Sequence, residues 1–179
     1  MMRTRLAIGG CLLATVFGTA LFAAEQVRVL PLVREGKVVV SFEIPDAFTT
    51  DIQEAIHSGL ATSFTYDVEL RRGSSLWMDR TLASATVTAS VRYDNLTRQH
   101  HLSRMVDGRV DASRVTADKS AVARWLTSVD HLELFRTANL ETNGEYYVRV
   151  RARTYPRTAW FWWPWERLAS GHASFTFIP

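Results

Sequence analysis

Two stretches in which apolar and polar residues strictly alternate restrict the fold of this chain more than any other feature. One is the run 64–71, and the longer run 82–93 repeats the pattern. A period of two places one face of a β-strand in a core and the other in water, which is typical of antiparallel sheets. The residues predicted to face the core are Phe64, Tyr66, Val68 and Leu70 in the first run, and Ala85, Val87, Ala89, Val91 and Tyr93 in the second.

Residues 27–33 and 38–44 are rich in β-branched side chains and are separated by a short segment that contains Gly36. This arrangement predicts a β-hairpin, since glycine readily adopts the backbone angles of a tight turn. Further strands are predicted at 99–106, after the turn Asp107-Gly108, at 145–155 and at 171–178.

Two segments have helical periodicity instead. In the first, Thr50 and Gln53 are spaced as a capping box and Gly59 is placed to end the helix. The second helix is predicted at 118–129, with an apolar face of Ala121, Val122, Trp125, Leu126 and Val129. The sequence therefore predicts one α+β domain at residues 25–179, in which a single antiparallel sheet of about seven or eight strands packs with two amphipathic helices.

The N-terminal residues 1–24 have the pattern of an export signal. Arg3 and Arg5 precede an uncharged run of 19 residues, 6–24, and Gly18-Thr19-Ala20 offers the small side chains that a signal peptidase reads. A run of this length could also remain as an uncleaved membrane anchor. We therefore predict export to the periplasm or cell envelope, with tethering to the inner membrane as the alternative to cleavage.

Charge and cysteine content exclude several classes of function. Without Arg3 and Arg5, 19 Lys and Arg residues face 18 Asp and Glu residues, so the predicted domain is close to neutral. We predict no nucleic-acid binding, because that function needs a concentrated basic surface. The only cysteine, Cys11, lies in the N-terminal segment, so the predicted domain can form neither an internal disulfide nor a thiolate metal site.

We predict no catalytic residues, no metal site and no cofactor, because the sequence contains no phosphate-binding glycine loop, nucleophile elbow or His-Glu-x-x-His motif. Glu54 and His57 have helical ligand spacing, but a di-iron site needs a second such pair on another helix. We expect them to be a solvated helix edge. His100 and His101 are adjacent on a predicted strand, so they face opposite sides and cannot bind one ion together.

A predicted strand carries Arg149, Arg151 and Arg153 on one face. Guanidinium groups bind carboxylates and phosphates in forked pairs, which makes this face a candidate surface for an anion or an acidic partner. The alternative is cross-strand pairing with acidic residues such as Asp67 and Glu69. We favour pairing, because an alternating charged strand is usually a solvated face.

The most unusual segment is aromatic and holds four of the six tryptophans. Pro164 cannot donate to a strand ladder and so argues against an interior strand there, and the segment is predicted to be a loop. Such a loop could fold over the core as a lid, bind a glycan or other ligand, or contact a partner protein or the membrane interface, where indole rings settle. Its candidate binding residues are Trp160, Phe161, Trp162, Trp163 and Trp165.

Several segments together resemble one protein family, the bacterial "domain of unknown function 4390" family. The most specific of them is Tyr-x-x-Leu-Thr-Arg at residues 93–98. The resemblance implies a signal peptide and, because family members often lie beside sensor-kinase genes, a role in envelope signalling. It supplies no catalytic or binding residues. The segments are 51–59, 64–70, Trp77 with Asp79, 93–98 and 146–153, and the aromatic tail departs from the family pattern.

The function we predict is an exported, non-catalytic binding or accessory domain of unknown ligand. Its partner would be an envelope or inner-membrane protein or the membrane interface, reached through the tryptophan-rich segment and the arginine strand. Two alternatives stay open: a hydrolytic or metal-assisted envelope enzyme that uses scattered His and Asp residues, and a purely structural envelope protein.

Cleavage of the N-terminal segment is directly testable. We expect protein recovered from the envelope to begin between Leu21 and Gln26, because the small residues before Leu21 suit the peptidase. N-terminal sequencing together with intact-mass measurement would show this. An intact Met1 or Met2 in that material would instead identify an uncleaved anchor.

Overall fold

The computed structural model describes residues 27–73, 80–156 and 168–178. This part of the chain contains nine strands and two α-helices. In chain order they are β1 (Arg28–Arg34), β2 (Lys37–Glu43), α1 (Thr50–His57), β3 (Thr62–Arg72), β4 (Arg80–Asp94), β5 (Gln99–Val106), β6 (Arg109–Thr116), α2 (Lys119–Thr127), β7 (Ser128–Arg136), β8 (Glu145–Pro156) and β9 (Leu168–Thr176).

The strands form two antiparallel sheets. The larger sheet has six strands in the order β6-β5-β4-β3-β8-β9, and the smaller has three in the order β1-β2-β7. The chain passes from the small sheet to the large one through α1 and returns through α2. Both helices therefore lie at crossings between the sheets, and the two sheets enclose one core.

The core forms where the sequence alternates. Phe64, Tyr66, Val68 and Leu70 of β3 are completely buried, and their polar neighbours lie on the opposite face. Across the core the Phe42 ring of β2 contacts the Tyr66 ring, with 4.9 Å between ring centroids. The predicted inward face of β3 is thus confirmed. On β4, Ala85, Val87, Ala89 and Val91 are buried as predicted, whereas Tyr93 is only partly buried.

The turns follow from residues that tolerate a left-handed backbone. Glu35 and Gly36 have φ values of 51° and 72° between β1 and β2, and Asp107 and Gly108 have 50° and 77° between β5 and β6. Positive φ at both central residues is the type I′ geometry that matches the twist of a hairpin. Both predicted hairpin turns are confirmed.

The helices begin and end close to their predicted limits. Helix α1 is preceded by Thr49, which makes no side-chain capping bond, so the predicted Thr50–Gln53 capping box is wrong. Gly59, with φ of 85°, ends the helix as expected. At α2 the Asp118 carboxylate accepts a hydrogen bond of 2.8 Å from the Ser120 backbone N–H, which satisfies a donor at the helix start.

The predicted α+β class with antiparallel pairing is confirmed, but the single sheet of about seven or eight strands is not. The described residues form two sheets with nine strands, one of which the sequence pattern concealed. Strand β7 begins directly after α2. Its buried residues Val129 and Leu132 are three apart, since an extra residue on β7 interrupts the register with β2. His131, at this bulge, has φ of 57°. A spacing of three continues the helical pattern of α2, which hid the strand.

The two sheets meet where the described chain starts. The Val27 backbone N–H donates to the Ser170 carbonyl across 3.5 Å, joining the start of β1 to β9. The approach is close because Gly171 lacks a side chain: a Cβ there would overlap the Val27 carbonyl oxygen. Glycine is therefore required at this junction by backbone packing.

We expect Gly171→Ala to lower the free energy of unfolding by about 2–4 kcal/mol, because the added methyl group forces β1 away from β9. Chemical denaturation followed by circular dichroism would measure the change. Gly73→Ala is the matched control, since nothing lies within 4 Å of a Cβ at that position. Equal free energies of unfolding for the two variants would show that β1 and β9 can move apart at this junction without loss of stability.

Candidate functional site

The outward face of β3 and β8 carries the predicted arginines in a network of charges. Arg149 donates to the Glu69 carboxylate across 2.7 Å, and Arg153 pairs with Asp67. The strand register is consistent with both pairs. Glu69 lies directly opposite Arg149, and Asp67 lies diagonally from Arg153, two residues along β3 from Thr65. The cross-strand pairing that we favoured from the sequence is therefore present.

Both carboxylates in the middle of this face have more than one donor. Glu69 also lies 3.7 Å from Arg71, whose guanidinium group stacks over the Tyr147 ring at 5.9 Å from the centroid. Asp67 accepts a second hydrogen bond, of 3.4 Å, from the Thr86 hydroxyl. These shared, partly buried contacts tie β3 to its neighbouring strands, so Arg149 and Arg153 have a structural role.

Arg151 differs from its two neighbours on the strand. It lies opposite Asp67 in the register, yet Asp67 is bound by Arg153, and the Arg151 side chain stays exposed. No described carboxylate lies within 4 Å of its guanidinium group. Of the three predicted arginines, Arg151 is therefore the one whose charge is available to a ligand.

The aromatic candidates Trp160, Phe161, Trp162, Trp163 and Trp165 lie outside the described residues. The residues that bracket them are described: β8 ends at Pro156 and β9 begins at Leu168, which pairs with Arg153. The segment therefore joins the domain at the end of the arginine strand.

A second group of side chains comes together around Tyr93, near the C-terminal end of β4. The His57 ring of α1 stacks on the Tyr93 ring at 5.3 Å between centroids, and Tyr93 contacts the His100 ring at 4.7 Å. The two histidine rings are 6.2 Å apart. The sequence does not reveal this group, because the three residues come from α1, β4 and β5 and no spacing along the chain connects them.

The histidine cleft is a small depression beside these rings, with about 10 Å³ of space, enough for about one water molecule. His57, His100, Gln53 and Lys119 supply its polar side chains. His100 is only 4% exposed, and its Nδ1 lies 3.2 Å from the Thr116 carbonyl oxygen. Since a carbonyl can only accept, Nδ1 carries the proton and donates, which leaves Nε2 as the acceptor in the neutral ring.

Burial lowers the pKa of His100, because a charged ring loses solvation in this position. The hydrogen bond to Thr116 opposes that effect, whereas the nearby positive charges of His57 and Lys119 add to it. His100 is therefore neutral at pH 7, and its protonation is disfavoured in the folded protein.

The other histidine predictions have simple outcomes. His101 faces away from His100 and is exposed, with Nε2 4.0 Å from the Asp94 carboxylate, so the expectation that the two cannot bind one ion together is confirmed. Glu54 and His57 are both exposed on α1, as expected of a solvated helix edge. Across residues 27–73, 80–156 and 168–178, no three His, Cys, Asp or Glu side chains group closely enough to hold a metal ion.

These features define a class: a domain of two antiparallel sheets and two helices, with a charged sheet face and a small basic cleft. The chain belongs to the family described as "Domain of unknown function (DUF4390)", which it matches over residues 22–159. The family indicated by the sequence is thus confirmed. No curated protein and no solved structure matches the chain. No helix among the described residues is long and apolar enough to span a bilayer.

The lowered pKa of His100 predicts that acid destabilises the fold. Above the ordinary histidine pKa of about 6.5 the ring is neutral in both states, and its contribution to stability is complete. As the pH falls through 6.5 toward the lower folded-state pKa, the unfolded chain binds the proton first, and stability is lost at no more than about 1.4 kcal/mol per pH unit.

Denaturation curves between about pH 7.5 and pH 5 would test this. We expect His100→Asn, whose amide can still donate to Thr116, to show a shallower pH dependence than the wild type. His101→Gln, at the adjacent exposed position, should retain the wild-type slope. Identical slopes in all three proteins would rule out His100 as the source.

Proposed function

We propose that this protein is an exported binding domain of the cell envelope that docks an acidic surface of an inner-membrane or envelope protein. In this proposal it acts without catalysis, as an accessory to a sensor-kinase signalling system. The contact surface is the outward face of β8 together with the tryptophan-rich segment that follows it.

The observation that carries the proposal is the availability of Arg151. Its neighbours Arg149 and Arg153 hold the carboxylates of Glu69 and Asp67, so their charges are largely used within the sheet. Arg151 is exposed between them, and a planar guanidinium group binds carboxylates in two parallel hydrogen bonds. The Arg151 guanidinium group is therefore free to bind a carboxylate of the partner, and the sheet holds the Arg151 backbone in place.

The points where two flanking segments join the described strands support the same surface. Val27, the first described residue, bonds to Ser170, and Leu168 pairs with Arg153. The apolar N-terminal segment and the tryptophan-rich segment are therefore both attached near the end of the arginine strand. An anchor or a membrane contact through these segments would hold the arginine strand close to the inner membrane.

The hydrolytic alternative would require two histidines and a carboxylate in one cleft. The histidine cleft supplies His57 and His100, but no carboxylate is among the described residues that line it. The binding domain is therefore the function that the geometry supports better.

Crosslinking of the tagged full-length protein in intact envelopes, followed by purification, would test the proposal. We expect the wild type to capture one membrane protein, and Arg151→Ala to lower its yield about tenfold, equivalent to about 1.4 kcal/mol of binding. The double variant Trp162→Ala with Trp163→Ala should lower it as well. Neither change should alter the melting temperature much if these residues act in binding.

The matched control is Arg114→Ala, which removes an exposed arginine from β6, at the far edge of the same sheet. It should capture the partner as the wild type does. Equal loss in both arginine variants would indicate attraction by net charge alone. Capture of nothing by the wild type would contradict the partner hypothesis, and a large drop in melting temperature of the double variant would show that the tryptophans are part of the core.

A further inference from the structure

We propose that β6 is a self-association surface, through which two copies of this chain join their large sheets edge to edge in antiparallel orientation. The partner is a second copy of the chain, related to the first by a twofold axis that passes beside Ser113. This edge is the one opposite β9 in the large sheet, and its role does not depend on the proposed docking through β8.

Strand β6 ends the large sheet, and among the described residues it pairs only with β5. Its side chains are exposed along most of the strand, and Val110 and Val115 are 70% and 51% exposed. An edge strand presents a row of backbone N–H and C=O groups that can continue the sheet with another strand. The two valines add apolar area that such a strand would bury.

The other three edge strands each carry a feature that hinders pairing. At the far edge of the large sheet, β9 is already bonded to the start of the described chain, where Val27 donates to Ser170. Strand β1 contains Pro31, which lacks a backbone N–H, and β7 has two shifts of register with β2 and a left-handed residue, His131. In the part of the chain that the structure describes, β6 is therefore the edge most open to a partner strand.

A bulge in β6 places both exposed valines on the same face of the sheet. Val110 and Ala112 lie opposite consecutive residues of β5, so that Asp111 is an extra residue. The extra residue shifts the alternation by one, and Val110 therefore shares the outward face with Ser113 and Val115. Without the bulge, two residues that are five apart would point to opposite faces.

One antiparallel register of two β6 strands covers both valines. Directly paired residues of antiparallel strands point to the same face, so a twofold axis perpendicular to the sheet places one residue opposite its own copy. With Ser113 in that position, and with the extra residue on each strand, Val110 of each chain lies beside Val115 of the other. A shift of the axis by one residue in either direction would set a valine beside Ser113 instead.

The charged residues of β6 favour the same register. Arg114 and Asp111 are both exposed, and Asp111 attracts Arg104 of its own chain without forming an ion pair with it. In the proposed pair Arg114 lies opposite Ala112 of the second copy, one residue from Asp111, so opposite charges meet twice across the axis. A bulge and charged side chains hinder pairing with an arbitrary strand, whereas here they are complementary to a second β6 and make the association selective.

The size of the surface indicates a transient dimer. A stable interface contains about 20–30 residues on each side, and β6 has eight. We therefore expect the pair to dissociate on dilution and to form where the chains are concentrated, as they would be in the envelope. A test that traps the pair covalently in place is suited to such an association.

Cysteine crosslinking of the full-length protein in intact envelopes would test the pairing. Ser113→Cys in a Cys11→Ser background places two thiols opposite each other at the axis, within the range of Cα separations that a disulfide spans. We expect brief oxidation with copper phenanthroline to give a product of twice the mass on a non-reducing gel. The matched control is Ser174→Cys in the same background, at an exposed position on β9, which should remain monomeric.

Two charge variants of the Ser113→Cys protein test the register. Val110→Lys with Val115→Lys brings like charges together on both sides of the axis and should lower the dimer yield about tenfold. Val110→Lys with Val115→Glu brings opposite charges together instead and should restore the yield. Because both valines are exposed, the melting temperature should be nearly the same in all variants.

Absence of a dimer from Ser113→Cys, or equal crosslinking of Ser174→Cys, would overturn the proposal. Equal dimer yields in the two charge variants would do the same, because the valines would then not meet across the axis. A crosslinked product of any other mass would assign the edge to a different protein and would also overturn self-association. None of these outcomes bears on docking through β8, which is measured by partner capture with Arg151→Ala.

Discussion

The last four carbonyl groups of α2 are all satisfied by groups from outside the helix body, and this arrangement joins the helix to both sheets. The Tyr66 hydroxyl of β3 donates to the Leu126 carbonyl, and Arg104 of β5 donates to the Trp125 carbonyl across 3.1 Å. The Ile44 backbone N–H, just after β2, donates to the Thr127 carbonyl across 2.9 Å. Because unsatisfied helix carbonyls in a core are costly, the helix end can lie only where all these donors meet.

This constraint explains much of the surrounding architecture. Strand β7 starts at Ser128 without a connecting loop, and the Ser128 backbone N–H itself satisfies the Arg124 carbonyl. The position of α2 therefore determines where β7 enters the small sheet. Arg104 also stacks over the Trp125 ring at 4.5 Å. Its partly buried charge is thus held by carbonyl dipoles and an aromatic face, and the carboxylates of Asp111 and Asp130 also attract it.

Much of the fold could be predicted from the sequence, because each strand of a half-buried sheet repeats the same local pattern. Alternation gave the inward faces of β3 and β4, and the glycines at positions 36 and 108 gave the hairpin turns. The pattern failed at β7, where a bulge changed the spacing of buried residues to that of a helix. The alternating pattern also could not distinguish two sheets from one. It indicates which side chains of a strand are buried, but not which sheet the strand belongs to.

Of the candidate site residues, the sequence identified the arginine strand and its pairing with Asp67 and Glu69, although only Arg149 and Glu69 lie directly opposite each other in the register. The sequence could not show that Arg151 is the arginine left unpaired, since that depends on which of two neighbours reaches Asp67. The contact of His57 with Tyr93 and His100 was equally beyond prediction, because it joins a helix and two strands that are distant along the chain. Sequence by itself determined the strands, their buried faces and the family, since these depend on local periodicity and residue type. Tertiary structure alone decided the division into two sheets, the availability of Arg151 and the basic cleft, since each depends on packing between elements that no local pattern specifies.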